Sequence, residues 1–324
     1  MTRGIQIRRT GGPEVMEWGE VSLPRLKRRE ARVRHTAIGL NYFDVYVRTG
    51  LYPAALPAIL GQEAAGIVEE VGKGVTNVQV GDRVAYTGAG SGSYAEAAHV
   101  PADRLVKLPD AISDRDAAAL LLKGLTAQYL LRRTYKVKRR DPIVFHAAAG
   151  GVGTIAVQWA KHLGAEMIAV VSSEAKAEQV RALGANHVIV SSRENVLTRV
   201  REITKGKGVP VVYDSVGKDT FTESLDCLRP LGLLVTYGNS SGAVPPFSPL
   251  ELSRRGSLYL TRPTLAHYVP TRAALNRAAR ELFELVAAGV IRIRIGQTYP
   301  LAEAARAHVD LEARRTTGST VLIP

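Results

Sequence analysis

The chain has 324 residues, 46% hydrophobic and 23% charged, a profile that argues for a folded, soluble protein long enough for two domains. Its one cysteine, Cys227, excludes an internal disulfide framework and any multi-cysteine zinc or iron–sulfur site, and it suits a reducing cytosol. The formal net charge of +13 raises nucleic acid as a partner, yet arginine is spread through the whole sequence and not gathered on one predicted face.

Before residue 125 the texture is all-β. Segments 5–9, 31–38, 65–71 and 83–86 alternate or cluster apolar residues over short spans. Turns with Gly or Pro separate them: Gly11-Gly12-Pro13, Gly72-Lys73-Gly74 and Gly88-Ala89-Gly90. This pattern predicts a barrel-like body. The N-terminal residues lack a signal-peptide apolar core. The run Ala117 to Leu122 falls far short of the roughly 18 to 20 apolar residues of a membrane span. The expectation is a cytoplasmic protein with no membrane partner. From 114 to 133 the pattern turns helical. Lys136-Val137-Lys138-Arg139-Arg140 is the densest basic run; with no interleaved aromatic module it reads as a solvated connecting loop, with RNA association kept as a side role.

The most informative stretch comes next. Ile143-Val144-Phe145-His146 is a β-prone run that empties into Ala147-Ala148-Ala149-Gly150-Gly151-Val152-Gly153, and 154–161 reads as a helix. Strand, small-residue turn and helix N-terminus form a phosphate-binding element: glycines let the backbone approach a pyrophosphate, and the free N–H groups of the first turn face the anion. The spacing is Ala147-x-x-Gly150-x-x-Gly153, not G-x-G-x-x-G, and tight strand-to-helix packing also selects glycine. The following sequence decides between the two readings. Strands at 167–171, 187–190, 209–213 with Asp214, and 233–238 alternate with helical segments such as 175–183, closed by Gly184-Ala185. That spacing predicts a Rossmann-type doubly wound parallel sheet.

The end of the second strand selects the nucleotide. An NAD site places an acidic residue there to accept from the ribose 2′-hydroxyl. Here the segment is Ser172-Ser173-Glu174-Ala175-Lys176. Hydroxyls and a cation favour a 2′-phosphate, hence NADPH over NADH, with Arg193 a second candidate partner. Glu174 is the discordant residue, and the plain alternative for Lys176 is a solvated lysine at a helix start. Beyond the nucleotide fold, 271–288 predicts a helix opened by Thr271, followed by the segment 299–313 and a last strand at 319–323. This C-terminal part is expected to return to the first domain. The boundaries read as 1–124 with 266–324 for a catalytic domain, and 125–265 for the nucleotide-binding domain.

Many segments in order carry a resemblance. They include Gly11-Gly12-Pro13-Glu14-Val15, Gly39-Leu40-Asn41-Tyr42-Phe43-Asp44, Arg48-Thr49-Gly50-Leu51-Tyr52-Pro53 and Gly61-Gln62-Glu63-Ala64-Ala65-Gly66. Further on come Lys123-Gly124-Leu125-Thr126-Ala127, Tyr213-Asp214-Ser215-Val216-Gly217, Gly238-Asn239-Ser240-Ser241-Gly242 and Thr261-Arg262-Pro263. Nearly end to end, the chain resembles the NADPH:quinone oxidoreductase (zeta-crystallin-like) branch of the zinc-free medium-chain dehydrogenase/reductase superfamily. The resemblance implies a GroES-like β-barrel catalytic domain beside the Rossmann unit, and a homodimer joined through edge strands, with 257–261 as the candidate edge.

The superfamily's alcohol dehydrogenases hold zinc through a cysteine and the His of a Gly-His-Glu segment. Here Gln62 replaces that ligand, which leaves structural hydrogen bonding as the plain reading of Gln62-Glu63; Asn41 and Asp44 stand where cysteine would be sought, and no metal site is expected. A quinone needs less help than a ketone, because hydride addition yields an aromatic hydroquinone. The resemblance places Asn41, Tyr46 and Tyr52 at the acceptor, Asn41 as a donor to a carbonyl and the two tyrosines as a flat wall. Asn41 also counts among the cofactor contacts. It puts Thr126 and Tyr129 near the nicotinamide, Gly150, Gly151, Val152 and Gly153 on the pyrophosphate, and Ser172, Ser173 and Lys176 on the ribose phosphate. Val216, Gly238, Asn239, Ser240 and Ser241 line the nicotinamide side; Arg262 and Arg314 stand at the far ends. Where close relatives place a tyrosine against the adenosine, this chain has Ser191, and Arg193 is a candidate substitute. Three functions remain: a quinone reductase, a zinc-free enone reductase, and RNA association through the basic surface.

Overall fold

The computed structural model describes residues 2–88, 90 and 92–324; Ala89, in the third of the turns named above, lies outside them. Two units emerge from the contacts. One takes residues up to Leu125 with Val269–Ala287 and Ile293–Pro324; the other takes Thr126–Tyr268 with Ala288–Arg292.

In the first unit the chain runs through β1 (Thr2–Ile7), β2 (Glu17–Val21), β3 (Glu30–Leu40), α1 (Tyr42–Thr49), β4 (Ala58–Ile59), β5 (Glu63–Val71), β6 (Arg83–Thr87), β7 (Ala97–Pro101) and β8 (Val106–Lys107). Helix α2 (Asp114–Tyr129) follows and ends in a π-helical turn, Leu130–Thr134, within the stretch that the sequence predicts as helical. β2 escapes the apolar pattern because only Val21 of its five residues is buried; pairing with β1 holds it. α1 is also absent from the sequence reading. Tyr42, Phe43, Val45 and Val47 are modest helix formers, and the helix is opened by Asp44, whose Oδ2 accepts the Asn41 N–H at 2.9 Å. Gly50 closes it in the left-handed conformation at φ 83°.

The second unit is a sheet with helices between its strands. It contains β9 (Pro142–Phe145), α3 (Gly151–Leu163), β10 (Glu166–Val171), α4 (Glu174–Leu183), β11 (His187–Val190), α5 (Val196–Ile203), β12 (Val209–Asp214), α6 (Phe221–Asp226), β13 (Leu228–Thr236), α7 (Leu250–Arg254), β14 (Tyr259–Thr261) and α8 (Leu265–Tyr268). The order is β11-β10-β9-β12-β13-β14, every pairing parallel. Direction reverses between β9 and β12, so the carboxyl ends of those strands form the switch point at which such sheets bind ligands. Ile143, Val144 and Phe145 are fully buried, as a strand covered on both faces requires. Two sequence boundaries shift: α3 begins at Gly151, not 154, drawing the glycines into its first turn, and β13 begins at Leu228, not 233.

The chain then supplies α9 (Arg272–Ala287), β15 (Ile295–Pro300), α10 (Ala304–Glu312) and β16 (Ser319–Ile323) to the first unit. Tyr299 lies on β15, and α10 begins only after the chain has passed Pro300 and a 3-10 turn, Leu301–Glu303. β16 pairs with β3 at residues 38–40 and β7 pairs with β3 at residues 30–34, so one long strand serves two partners along one edge. The sheet reads β15-β16-β3-β5-β6-β8 with β7 beside it, while β2-β1-β4 form a separate three-stranded sheet. Ile5, Val33, Leu60, Val84, Tyr94 and Leu322 belong to the shared core. No helix among the described residues is long and apolar enough to cross a membrane.

Candidate functional site

The turn expected to hold phosphate begins where β9 ends. Ala147 takes the left-handed conformation at φ 51°, and the Gly150 N–H closes the turn on the Ala147 carbonyl at 2.9 Å. Gly153 has a steric reason. A Cβ there would stand 2.5 Å from the Ala148 carbonyl oxygen and 2.6 Å from that of Ala147, so only glycine lets α3 seat on the turn. Gly150, Gly151 and Val152 stay partly accessible beside buried Ala148 and Ala149. The first-turn N–H groups therefore open toward solvent at the carboxyl end of the sheet, an arrangement that accepts an anion.

At the end of β10, Ser172 is exposed and Ser173 takes the extended cap position of α4. Lys176 Nζ lies 3.4 Å from Ser172 Oγ, so hydroxyl and ammonium share one spot. The discordant Glu174 is accounted for: its carboxylate pairs with Arg181 at 2.6 Å and, at 3.9 Å, with Arg193. Its negative charge is directed to those two guanidinium groups. Ser191 Oγ donates to the Val171 carbonyl at 3.2 Å, which fixes it beside the same strand end.

Asp214, at the end of β12, organises the next loop. Its Oδ1 accepts the N–H groups of Val216 (2.7 Å) and Gly217 (3.1 Å); its Oδ2 accepts the hydroxyls of Thr220 (2.7 Å) and Ser224 (2.8 Å). Ser224 Oγ lies 3.1 Å from His146 Nε2, and burial holds the His146 pKa below its ordinary value. Because the serine hydroxyl is spent on Asp214, the neutral imidazole carries its proton on Nε2 and donates to Oγ. In the sequence His146 and Asp214 stand within motifs that give them no role of their own, and no sequence signal marks Ser224. Ser241 ties the neighbouring loop to this one, its N–H and Oγ both donating to the Val216 carbonyl at 2.8 Å. The Ser240 N–H reaches the Ser215 carbonyl at 3.2 Å. Gly238 packs so closely on Ser215 that a Cβ would collide with its carbonyl oxygen. Arg262 donates to the Gly238 carbonyl at 2.9 Å and to Thr236 Oγ1 at 3.2 Å, and the Asn239 amide oxygen, in its satisfied orientation, faces it at 2.9 Å. Arg262 thus braces the 236–239 loop. Thr126 is buried, and Tyr129 stacks on Tyr268 with ring centroids 4.5 Å apart.

In the first unit the expected residues gather around a group that the sequence reading treated as structural. Glu63 is fully buried on β5. Its Oε2 accepts from Lys123 Nζ (3.1 Å) and Asn41 Nδ2 (3.0 Å), and its Oε1 accepts the Leu122 N–H (2.6 Å). A Cβ on Gly39 would overlap Glu63 Oε2, so the glycine makes room for the carboxylate. Asn41 Nδ2 also donates to the Gly39 carbonyl at 3.2 Å. Both amide hydrogens are thereby engaged inside the protein, whereas the sequence reading had them donate to a bound carbonyl. Tyr46 is buried and meets Tyr52 edge-on at 5.1 Å; Tyr52 meets Phe43 at 5.2 Å. The tyrosines form a corner, not a flat wall. Arg314 is exposed in a left-handed turn, φ 59°, and its charge opposes the rise that burial gives the Tyr42 pKa. Among the described residues, no three His, Cys, Asp or Glu side chains gather as metal ligands.

A sheet body of this order joined to a 3-2-1-4-5-6 nucleotide unit defines the medium-chain dehydrogenase/reductase class. Family comparison agrees: residues 27–110 match the alcohol dehydrogenase GroES-like domain, and residues 151–279 match the zinc-binding dehydrogenase family. The chain is 55% identical to a quinone oxidoreductase of Pseudomonas aeruginosa, with all of both chains covered. It is 46% identical to a 2-haloacrylate reductase of Burkholderia, covering 100% of this chain and 99% of the relative. The solved structure of Escherichia coli quinone oxidoreductase complexed with NADPH matches with a TM-score of 0.98 at 50% identity, both chains fully covered. The chain belongs to the quinone oxidoreductase branch of this superfamily.

Proposed function

We propose that the protein is an NADPH-dependent quinone reductase that works without a metal. The observation that carries this reading is the full-length likeness to quinone oxidoreductases together with Ser172, Ser173 and Lys176 at the end of β10. Bound NADPH supplies the hydride. The first turn of α3, Gly150 to Gly153, holds its pyrophosphate, and the serine hydroxyls with Lys176 hold the 2′-phosphate, with Ser191 and Arg193 beside it. The loops braced by Asp214 and Arg262 present Val216 and Gly238 to Ser241 to the nicotinamide; Thr126, Tyr129 and Arg314 complete the cofactor contacts. Asn41, Tyr46 and Tyr52 form the acceptor side. With Asn41 Nδ2 held by Glu63, its role there is to fix the acceptor wall. A quinone's own electron deficiency supplies what a Lewis acid supplies to a ketone. Residues 1–124 with 266–324 act as the GroES-like catalytic domain and 125–265 as the nucleotide domain.

Steady-state turnover of NADPH with benzoquinone-type acceptors against simple enones tests the reading. Faster turnover of quinones is expected, and equal or better turnover of enones overturns the ranking. Enone reduction is the second reading, favoured by the 2-haloacrylate reductase relative, since a quinone is itself a conjugated enone. We further infer a cytoplasmic homodimer. Its support is β14, the last strand of its sheet, where Tyr259 is 61% exposed. Light scattering at the monomer mass would contradict the dimer.

A further inference from the structure

A second buried polar chain in the first unit is given no role by the function proposed above. Asp44, on α1, is 1% exposed, and its Oδ2 accepts both the Asn41 N–H (2.9 Å) and the Tyr94 hydroxyl (3.0 Å). The Tyr94 oxygen lies 3.1 Å from His308 Nε2, and His308 Nδ1 lies 3.0 Å from Arg48 Nη1. Chemistry fixes every direction. A guanidinium only donates, so Nδ1 accepts; the ring, held neutral by burial and by Arg48, then carries its proton on Nε2 and donates to the phenol oxygen. The phenol hydrogen is left for Asp44. Arg48 to His308 to Tyr94 to Asp44 is therefore one unbroken line of donors. At its outer end Arg48, itself 1% exposed, grips Glu312 with two bonds of 2.7 and 2.9 Å and donates from Nε to the Gly11 carbonyl at 3.1 Å.

We propose that Arg48, His308 and Tyr94 are positioning residues that hold the Asp44 carboxylate on the Asn41 N–H, so that helix α10, from the C-terminal part of the chain, sets the backbone bearing Asn41. Its consequence for turnover rests on the reading of Asn41 as an acceptor-side residue. The line has an energetic task. Asp44 Oδ1 is buried with no hydrogen-bond partner among the described residues, and burial raises the Asp44 pKa to about 7. The Asn41 N–H, the Tyr94 hydroxyl and the charge of Lys123 on α2 pull it down, and Glu63 on β5 pushes it up. Every charged or titratable neighbour is thus held in place by a different element: Glu63 on β5, Lys123 on α2, Tyr94 ahead of β7, Arg48 on α1 and His308 on α10. Near neutral pH the Asp44 charge state is finely balanced, and the donor line favours the ionised form that accepts from Asn41.

The Asn41 amide is the direct readout. With ¹⁵N-asparagine labelling and the Asn41 resonance assigned by its loss in Asn41→Asp, its proton shift is followed from pH 5 to 9 without nucleotide or acceptor. The wild-type amide is expected to titrate with a midpoint of about 7. In Tyr94→Phe and in His308→Leu the midpoint moves up by about one pH unit, and in His308→Gln it returns toward wild type. The pH profile of kcat/KM for a benzoquinone moves in the same direction. An Asn41 amide whose shift and pH dependence are the same in wild type, Tyr94→Phe and His308→Leu overturns the proposal, whereas a wild-type amide held at its carboxylate-bonded position that titrates only in the variants supports it. Because the amide is read without substrate, absence of quinone turnover would sink the functional reading alone.

Discussion

Lys123 and Glu63, 60 positions apart in the chain, meet as a buried ion pair with Nζ 3.1 Å from Oε2 and side chains 7% and 0% exposed. Breaking such a pair from one side leaves an uncompensated charge in the interior, which costs about 3–5 kcal/mol. Lys123→Met and Glu63→Gln are each expected to lower stability by about that amount in urea unfolding. The double variant Glu63→Gln/Lys123→Met removes both charges and is expected to lose less than the sum, because no ion is stranded. Strictly additive losses would mean that the two groups do not stabilise one another.

Acid is expected to weaken this fold through three buried histidines. Burial takes His35 down to about 4, His308 to about 3, and His146 below its ordinary 6.5. A depressed folded pKa stabilises the neutral form, so this contribution is fully present above about 6.5 and is lost as pH falls toward the folded values. Asp44 acts in the opposite sense: raised to about 7 from 3.8, its contribution is greatest below 3.8 and is lost as pH rises through 7. Three groups oppose one, and the urea midpoint is expected to fall between pH 7 and pH 5. Asp44→Asn removes the opposing contribution and should steepen that fall. A midpoint that rises on acidification would refute the assignment of the histidines as neutral.

What the sequence revealed follows from the range of each signal. The glycine-rich turn was legible because its constraints are local: Ala147 to Gly153 must turn and start a helix within seven positions, and glycine permits the close approach at Gly153. The Rossmann strands were legible because burial on both faces gives runs such as Ile143-Val144-Phe145. α1 was hidden by its aromatic and β-branched composition, with its opening signal held in the single Asn41–Asp44 contact. The Glu63–Lys123 pair and the Asp44–Tyr94–His308 line join residues 60, 50 and 214 positions apart, distances over which no periodicity carries information. Structural hydrogen bonding at Gln62-Glu63 was therefore legible, but not that Glu63 is the centre of the cluster that holds Asn41.

Gly153 and Gly150 should respond differently to the same added methyl. At Gly153 the Cβ meets two carbonyl oxygens at 2.5 and 2.6 Å, backbone atoms that cannot swing aside, so the turn itself must move. At Gly150 the nearest atom is the Ala147 oxygen at 3.2 Å, a tight but tolerable approach, and the cap φ is −80°. Gly153→Ala is expected to lose about 1–3 kcal/mol of stability and to weaken NADPH binding at least tenfold by fluorescence titration. Gly150→Ala should bind within about threefold of wild type, given that a few tenths of an ångström relieve the contact. The reverse ranking would place the phosphate elsewhere than on the first turn of α3.

On the function proposed above, the choice of nucleotide turns on Lys176. Its ammonium and the Ser172 hydroxyl lie 3.4 Å apart at the end of β10, and the nearby carboxylate of Glu174 is occupied by Arg181. A phosphate on the 2′-oxygen would find a donor and a cation there, while a bare 2′-hydroxyl would gain nothing from the charge. The ammonium is only partly buried, so screening limits its effect to about tenfold in affinity. Lys176→Ala is accordingly expected to raise the NADPH Kd about tenfold and to change the NADH Kd by less than about twofold. Paired titrations with the two cofactors check this, and repetition at high salt should shrink the difference, because an exposed charge contact is screened. Equal losses for NADPH and NADH would assign Lys176 to the stability of α4 and leave the 2′-phosphate to Ser172 and Ser173 alone.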